Sequence, residues 1–310
     1  MARFRADDPL VSPLAWVEGR LARIALADSL ARTEPVRRAW QELRSDVAAD
    51  PRFDGWAPTA DPALVPLGAN PNTGLWHLWH VPSGDRPERA ADGGWGSGRA
   101  SAEGDGLVFV LLPGGAFTVG AQAEDPDGPR WDPDADADES PLSRVELAPL
   151  YVAAHEMTRG QWIRSLGVDP LGGAEQRGGG DTRPLNRPVT GVSWDGASAG
   201  LARLGLALPT EPQWEYAARG GTDTPWFTGA DPASLSDRVS YRRNEEAFLE
   251  IVSAPGSYTA NPFGLHDTAG NVWEWTSGIY GRYDEGTPAQ PSAGFEAGTG
   301  ELIALDLGRR

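Results

Sequence analysis

Oxygen-bearing groups are concentrated in one glycine-bounded stretch near the end of the chain, "GLHDTAGNVWEWTSG" at residues 264–278. Asp267 and Glu274 can supply carboxylate oxygens, and in an extended segment the backbone carbonyls of Gly270 and Val272 point the same way. Hard oxygen ligands suit Ca²⁺, which takes about 6 to 8 of them, so water or other segments would complete the shell. The alternative is a turn in which Asp267 caps backbone amides and Glu274 is solvated.

Large aromatic residues accompany these oxygens. Alternation along a strand places Asn271, Trp273 and Trp275 on the side opposite to Glu274. We expect Trp273 and Trp275, with Trp194 and Trp214, to be core residues, because each buried aromatic side chain removes about 150–250 Å² from water and four exposed ones would form a large apolar patch. The alternative is that they line an aromatic binding groove.

Two other clusters resemble metal motifs but lack required ligands. Asp132, Asp134 and Asp136 follow the opening of an EF-hand loop, yet the glycine of the sharp turn and the bidentate glutamate are absent. His155 and Glu156 lack the second histidine, four residues after the first, that a zinc-protease helix requires. A structural role is therefore expected for these two residues.

His77 and His80 lie three residues apart in a predicted strand, which sends them to opposite faces and prevents them from sharing a metal ion. We expect both to be partly exposed. The sequence contains no G-x-S-x-G element, phosphate-binding loop or G-x-G-x-x-G fingerprint, so these residue patterns alone do not identify an enzyme.

Charge and composition exclude several classes of partner. The formal net charge of −17 disfavours nucleic acids and anionic membranes, since both require a basic surface. The 310 residues contain no cysteine, which excludes disulfides, thiolate metal sites and thiol nucleophiles within them. No window approaches the roughly 20 apolar residues of a membrane span, and no signal peptide is recognisable, so the cytoplasm is the default location.

Periodicity predicts the elements that position these residues. Apolar residues at helical spacing, interrupted by Thr33 and Pro35, predict a helical hairpin over about residues 12–50. The stretch "ALVPLGANPNTGLWHLWHV" predicts two short strands around a turn. The run "LVFVLLPGGAFTVGA" predicts further strands. We divide the chain into a helical N-terminal region (1–52), a linker with a short β-hairpin (53–104) and a larger domain (105–310).

Capping residues define three helices of the larger domain. Thr158 is a candidate cap for the first and Ser193 for the second, while Thr210 and Gln213 form a T-x-x-Q capping box for the third. Gly220 fits the left-handed residue that ends the third helix. Short helices and strands without βαβ alternation predict the α+β class.

Three motifs in one order carry a family resemblance: "PVTGVSW" (188–194), "LPTEPQWEYAARGG" (208–221) and "GLHDTAGNVWEW" (264–275). They resemble the formylglycine-generating enzyme family, also called sulfatase-modifying factors, and "LLPGGAFTVGA" and "HEMTRGQW" match its opening strands and first helix. The resemblance covers about residues 105–280. It implies a C-type-lectin-like α+β fold with little regular secondary structure.

The resemblance implies a structural calcium site. In that family the loop before the W-E-W segment binds Ca²⁺ through an Asn or Asp, two main-chain carbonyls and a Glu. Carried over, these ligands are Asp267, Gly270, Val272 and Glu274. Family enzymes oxidise a substrate cysteine to formylglycine with O₂ and a copper ion held by two cysteines. Because this chain has none, copper is not expected in it and no catalytic residue is assigned.

The predicted function is that of a formylglycine-generating-enzyme-like domain, non-catalytic as given, acting as a binding or accessory module for a protein or peptide. Loops between Gly220 and Asn261 and around Ile279 to Gly300 would form its recognition surface. The alternative is a fragment of an active oxidase whose catalytic cysteines lie in a C-terminal tail outside this sequence, so enzymatic activity stays open. The N-terminal region resembles that of bacterial proteins joining a serine/threonine kinase to this fold, which implies a covalently linked kinase domain in a full-length parent.

Overall fold

Two N-terminal helices precede the strands of a mixed sheet along the chain. The computed structural model describes residues 13–90, 93–95, 104–170, 184–235, 252–278, 301–303 and 306–307. The helices are α1 (Pro13–Ala31), α2 (Glu34–Ala49), α3 (Arg159–Leu166), α4 (Trp194–Ala202) and α5 (Glu211–Arg219). The strands are β1 (Leu64–Ala69), β2 (Trp76–His80), β3 (Val108–Leu112), β4 (Gly115–Val119), β5 (Ser143–Leu147), β6 (Leu150–Ala153), β7 (Glu274–Trp275), β8 (Glu301–Ile303) and β9 (Asp306–Leu307).

The predicted N-terminal helical hairpin is confirmed as α1 and α2. The buried face of α2 consists of Val36, Trp40, Leu43 and Val47 at helical spacing. The apolar stripe of α1 instead faces outwards, with its members between 44% and 67% exposed: Leu14, Val17, Leu21 and Ile24. Periodicity therefore identified both helices, although only α2 buries its stripe.

A five-stranded sheet in the order β1-β2-β3-β6-β8 forms the centre of the fold. The pairs β1-β2, β2-β3 and β3-β6 are antiparallel, whereas β6 and β8 are parallel. Strand β3 is buried along its whole length. The hairpin β1-β2, predicted within the linker, thus joins the same sheet as β3 and β6. The division of the chain into three segments stays a prediction.

The expectation that His77 and His80 are partly exposed is wrong. Both belong to β2, which lies between β1 and β3, and they are only 2% and 0% exposed. Every residue of β2 is buried, so both faces of this strand are covered. Burial disfavours the charged imidazolium and lowers the pKa of His80 to about 3. His80 is therefore a neutral core residue that packs edge-on against Phe109.

The predicted helix caps are confirmed. Thr158 and Gln161 form a capping box at the start of α3. Thr210 and Gln213 form the same arrangement at α5, and Ser193 accepts a hydrogen bond from the Gly196 amide at the start of α4. These bonds satisfy backbone donors that a helix start leaves open, so sequence-local contacts fix where each helix begins. Gly220 ends α5 at φ 61°, as predicted.

Short helices and a largely antiparallel sheet, with long irregular segments between them, make this an α+β fold. Within the described ranges, no helix combines the length and the apolar character needed to cross a membrane.

Candidate functional site

The Gly-bounded segment folds as a tight loop, and its regular strand is limited to β7. Asp267 and Asn271 adopt positive φ values of 59° and 63°, and Gly270 has φ 138°. The Val272 amide donates to the Gly270 carbonyl at 2.9 Å, which closes a turn around Asn271. The predicted alternation over residues 270–273 is therefore wrong, because left-handed residues reverse the chain where a strand would continue.

Asp267 is held in the interior by this loop. Asp267 is 5% exposed, and its Oδ2 accepts a hydrogen bond from the Gly256 backbone amide at 2.5 Å. Oδ1 is buried and accepts no hydrogen bond from an N–H or hydroxyl donor of the described residues, but the carboxyl group interacts with the Glu156 side chain. Burial raises the pKa of the Asp267 carboxyl, while the Gly256 hydrogen bond opposes that rise.

Glu156, three residues after the end of β6, lies beside Asp267. Glu156 is fully buried, and its Oε1 accepts a hydrogen bond from Nδ2 of the Asn271 side chain at 3.0 Å. Its Oε2 finds no hydrogen-bond partner among the residues that the structure describes. Burial, followed by repulsion from the carboxylates of Asp267 and Glu274, raises the pKa of Glu156 well above its usual range. A proton or a cation between these groups would relieve the repulsion.

Glu274 completes the group at the start of β7. Its Oε2 accepts a hydrogen bond from the Trp214 indole nitrogen on α5. The fold therefore brings the two predicted carboxylates, Asp267 and Glu274, to the same buried carboxylate, Glu156. The other two predicted ligands, Gly270 and Val272, lie on the turn between them. Whether the four residues hold a metal ion stays a prediction.

Sequence reasoning missed Glu156 and Asn271. Glu156 was assigned a structural role, and Asn271 was placed on the side away from the carboxylates. The Asn271 side chain instead bridges two segments, since its Oδ1 also accepts from the Ser253 amide at 2.9 Å. The available signal was an acidic residue within the mostly apolar run "YVAAHEM", where an unpaired charge would be costly.

Side chains alone do not build a metal centre here. Over the described ranges, no group of three His, Cys, Asp or Glu residues is arranged to hold a metal ion. A cation at this loop would therefore need backbone carbonyl oxygens and water besides the carboxylates, as Ca²⁺ commonly uses.

The prediction that all four tryptophans are core residues is half wrong. Trp214 and Trp275 are partly buried and pack against the core. Trp273 and Trp194 are 69% and 40% exposed. The Trp194 indole nitrogen donates to the Thr276 carbonyl at 2.8 Å, which fixes the first residue of α4 against the segment that follows Trp273. The turn around Asn271 directs Trp273 outwards.

The loops predicted as a recognition surface are only partly visible. Residues 220–235 and 252–261 are described, whereas the predicted loop around Ile279 to Gly300 lies outside the described residues, as do residues 236–251.

Comparison with known proteins agrees with the motifs. A family model described as the sulfatase-modifying factor enzyme 1-like domain matches residues 99–302. The serine/threonine-protein kinase pkn1 of Chlamydia pneumoniae is 33% identical over 196 residues, covering 57% of this chain and 28% of that protein. The chain thus spans less than a third of this kinase.

Two further relatives carry names that refer to formylglycine. The formylglycine-generating enzyme of Streptomyces coelicolor is 29% identical over 219 residues, covering 54% of this chain and 68% of that enzyme. The inactive C-alpha-formylglycine-generating enzyme 2 of Bos taurus is 36% identical over 115 residues, covering 35% of this chain and 38% of that protein.

Exchanging the partners in the Asn271–Glu156 contact tests the arrangement of the site. We expect Asn271→Asp to lower the free energy of unfolding by about 2–3 kcal/mol, because it replaces the donor facing a buried carboxylate with another acceptor. Combining it with Glu156→Gln restores a donor opposite an acceptor and should recover most of that loss. Urea unfolding of the two single variants and the double variant gives the coupling free energy. Simple additivity of the two changes would contradict the contact.

Proposed function

Since the chain belongs to the family of sulfatase-modifying factor enzyme 1-like domains, we propose that it is a non-catalytic binding module, in which a calcium-stabilised loop presents an aromatic surface to a protein or peptide. The observation that carries this proposal is the exposure of Trp273, at 69%, on a loop anchored by buried groups.

The aromatic surface consists of Trp273 and Trp194. Tryptophan side chains combine a large apolar area with few rotatable bonds, and they are enriched among residues that dominate binding energy at interfaces. The bond from Trp194 to the Thr276 carbonyl and the bond from the Trp275 indole nitrogen to the Val192 carbonyl at 3.1 Å hold the two segments together. A partner would therefore meet a preorganised surface, which lowers the entropy lost on binding.

The lack of cysteine supports a non-catalytic role. Copper-dependent oxidation in this family requires two cysteines, and the 310 residues contain none. Relatives of the chain include a protein named as an inactive formylglycine-generating enzyme and a protein kinase, so similarity at this level is compatible with roles other than oxidation.

Alignment with an active enzyme supports a second candidate. The match to the Streptomyces coelicolor formylglycine-generating enzyme covers 68% of that protein. In this alternative the chain is part of an oxidase that converts a sulfatase cysteine to formylglycine, and residues outside this sequence supply the copper-binding cysteines.

The predicted calcium ligands fit the chemistry of the loop. Asp267 and Glu274 would contribute carboxylate oxygens, and Gly270 and Val272 would contribute main-chain carbonyls. The observation that favours a cation is that the buried carboxyl groups of Asp267 and Glu156 interact directly with each other, since a cation beside them would relieve their repulsion. When bound, Ca²⁺ would neutralise the carboxylates and cross-link the loop, a stabilising and non-catalytic role.

Calcium should stabilise the folded chain. The free energy of unfolding should rise by about 2.7 kcal/mol when free Ca²⁺ is a hundredfold above its Kd. Glu274→Gln should weaken Ca²⁺ binding about tenfold or more in calorimetric titration, because it removes one charged ligand. Asp134→Asn, in the acidic segment that contains Asp132 and Asp136, is the matched control and should bind Ca²⁺ with the wild-type affinity. No binding, or equal affinities for wild type and Glu274→Gln, would refute the site.

Removing the Trp273 indole should weaken partner binding without unfolding the domain. Peptides selected on the wild-type chain from a random displayed library should bind Trp273→Ala about thirtyfold more weakly, the effect of losing a central interface residue. Leu14→Ala, at another exposed apolar residue, is the control. Fluorescence anisotropy with the selected peptides measures both affinities. Unchanged binding to Trp273→Ala, or loss of binding to Leu14→Ala, would contradict the proposed surface.

Oxidase activity should be absent from this chain. Incubated with Cu(I), O₂ and a cysteine-containing sulfatase peptide, it should leave the cysteine unchanged, because it has no cysteine to hold copper. Mass spectrometry detects formylglycine directly, and the Streptomyces coelicolor enzyme serves as the positive control. The same assay on the product of the whole reading frame separates the two candidates, since conversion there would establish the oxidase.

A further inference from the structure

A cavity of about 370 Å³ opens beside α5, apart from the exposed face of Trp273. Its wall includes the aromatic side chains of Trp214, Trp226 and Phe227. A volume of this size falls at the lower end of the range for small-molecule sites, about 300–1,000 Å³. The cavity can therefore hold a compact ligand or the end group of a longer one.

Local hydrogen bonds position the residues that carry these aromatic rings. The indole nitrogen of Trp214 donates a hydrogen bond to Glu274, which connects one wall of the cavity to the loop that carries Asp267 and Glu274. Trp226 and Gly229 exchange two backbone hydrogen bonds, at 3.0 and 3.3 Å, which close a tight turn bearing Trp226 and Phe227. The aromatic wall is thus held by contacts that do not require a ligand.

The electrostatic character of the cavity is acidic. Four carboxylates and one guanidinium contribute to its lining. The guanidinium, from Arg219, is engaged by Glu215 at 2.7 Å and by the Thr224 carbonyl at 2.6 Å. Asp138, Glu139 and Glu211 add three further carboxylates to the lining, and this excess of acidic groups favours a cation.

Thr268 supplies an independent indication of a ligand. It lines the cavity and is only 6% exposed, yet its hydroxyl oxygen has no hydrogen-bond partner in the part of the chain that the structure describes. A buried hydroxyl without a partner loses its hydrogen bonds to water, so a water molecule or a hydroxyl group carried by the ligand, as in choline, would stabilise it.

We propose that this cavity binds a quaternary ammonium group. Aromatic faces attract such a cation through their quadrupole, and the nearby carboxylates add charge attraction. The aromatic part of the lining offers an inorganic cation no oxygen ligands, whereas it can contact the methyl groups of an organic cation. An organic cation spreads its charge over a larger volume and needs no short coordination bonds. This site goes beyond the proposed function and does not require the Trp273 surface.

Calorimetric titration of the full chain with choline tests the proposal. Its uncharged carbon isostere, 3,3-dimethyl-1-butanol, should bind at least about tenfold more weakly, since it lacks the charge that the rings and carboxylates recognise. A trimethyllysine peptide, titrated in parallel, distinguishes a modified protein from a free small molecule as the source of the group. Equal affinity for choline and its isostere, or no saturable binding of either ammonium ligand, would overturn the proposal.

Variants locate the binding within the cavity. Trp226→Ala should raise the choline Kd about tenfold or more, and Glu211→Gln should raise it by a smaller factor. Trp273→Ala removes an indole elsewhere and should leave choline binding unchanged. The weaker peptide binding expected for Trp273→Ala is measured separately. Failure of the peptide-binding proposal can therefore be distinguished from failure of the ammonium-binding proposal. Circular dichroism verifies that each variant is folded, and Glu211→Gln provides the second test if Trp226→Ala unfolds. Unchanged choline binding in both cavity variants would overturn the assignment.

Discussion

Burial of the Glu156 carboxylate is the constraint on which the arrangement of the loop depends. A fully buried carboxylate is destabilising unless donors or a positive charge compensate it, and the Asn271 side chain and the Glu156 backbone supply hydrogen bonds to it. The Asn271–Glu156 hydrogen bond joins the segment after β6 to a loop 115 residues later in the chain. A backbone bond from the His266 amide to the Ala154 carbonyl at 2.8 Å reinforces the same junction. The position of Asp267 follows from these two anchors.

The loop transmits its position to both proposed binding regions. Glu274 accepts from Trp214, whose ring forms part of the acidic aromatic cavity. Directly after Glu274, the Trp275 indole donates a hydrogen bond to the Val192 carbonyl, and the Thr276 carbonyl accepts one from the Trp194 indole. These two bonds hold residues 275–276 against the start of α4. Occupation of the loop by a cation would therefore stiffen the supports of the cavity and of the aromatic surface together, without contacting a ligand in either.

Membership in the family fixes the scaffold and leaves the chemistry to individual side chains. The relatives include proteins named as a formylglycine-generating enzyme, an inactive formylglycine-generating enzyme and a serine/threonine-protein kinase. The contacts that define the scaffold here, such as helix caps, the sheet and the Asn271–Glu156 pair, do not involve a cysteine.

The sequence by itself determined the features that depend on near neighbours along the chain. The capping boxes of α3 and α5, the cap of α4 and the N-terminal hairpin involve residues within a few positions of each other, so periodicity and cap chemistry identified them. The family motifs likewise pointed to Asp267 and Glu274. Tertiary structure decided the rest: which helical stripe is covered, that His77 and His80 are enclosed, and that Trp273 faces outwards. It also decided that Asn271 meets Glu156. Such outcomes depend on which distant segments pack together, and an apolar or polar pattern in one segment does not specify its partner.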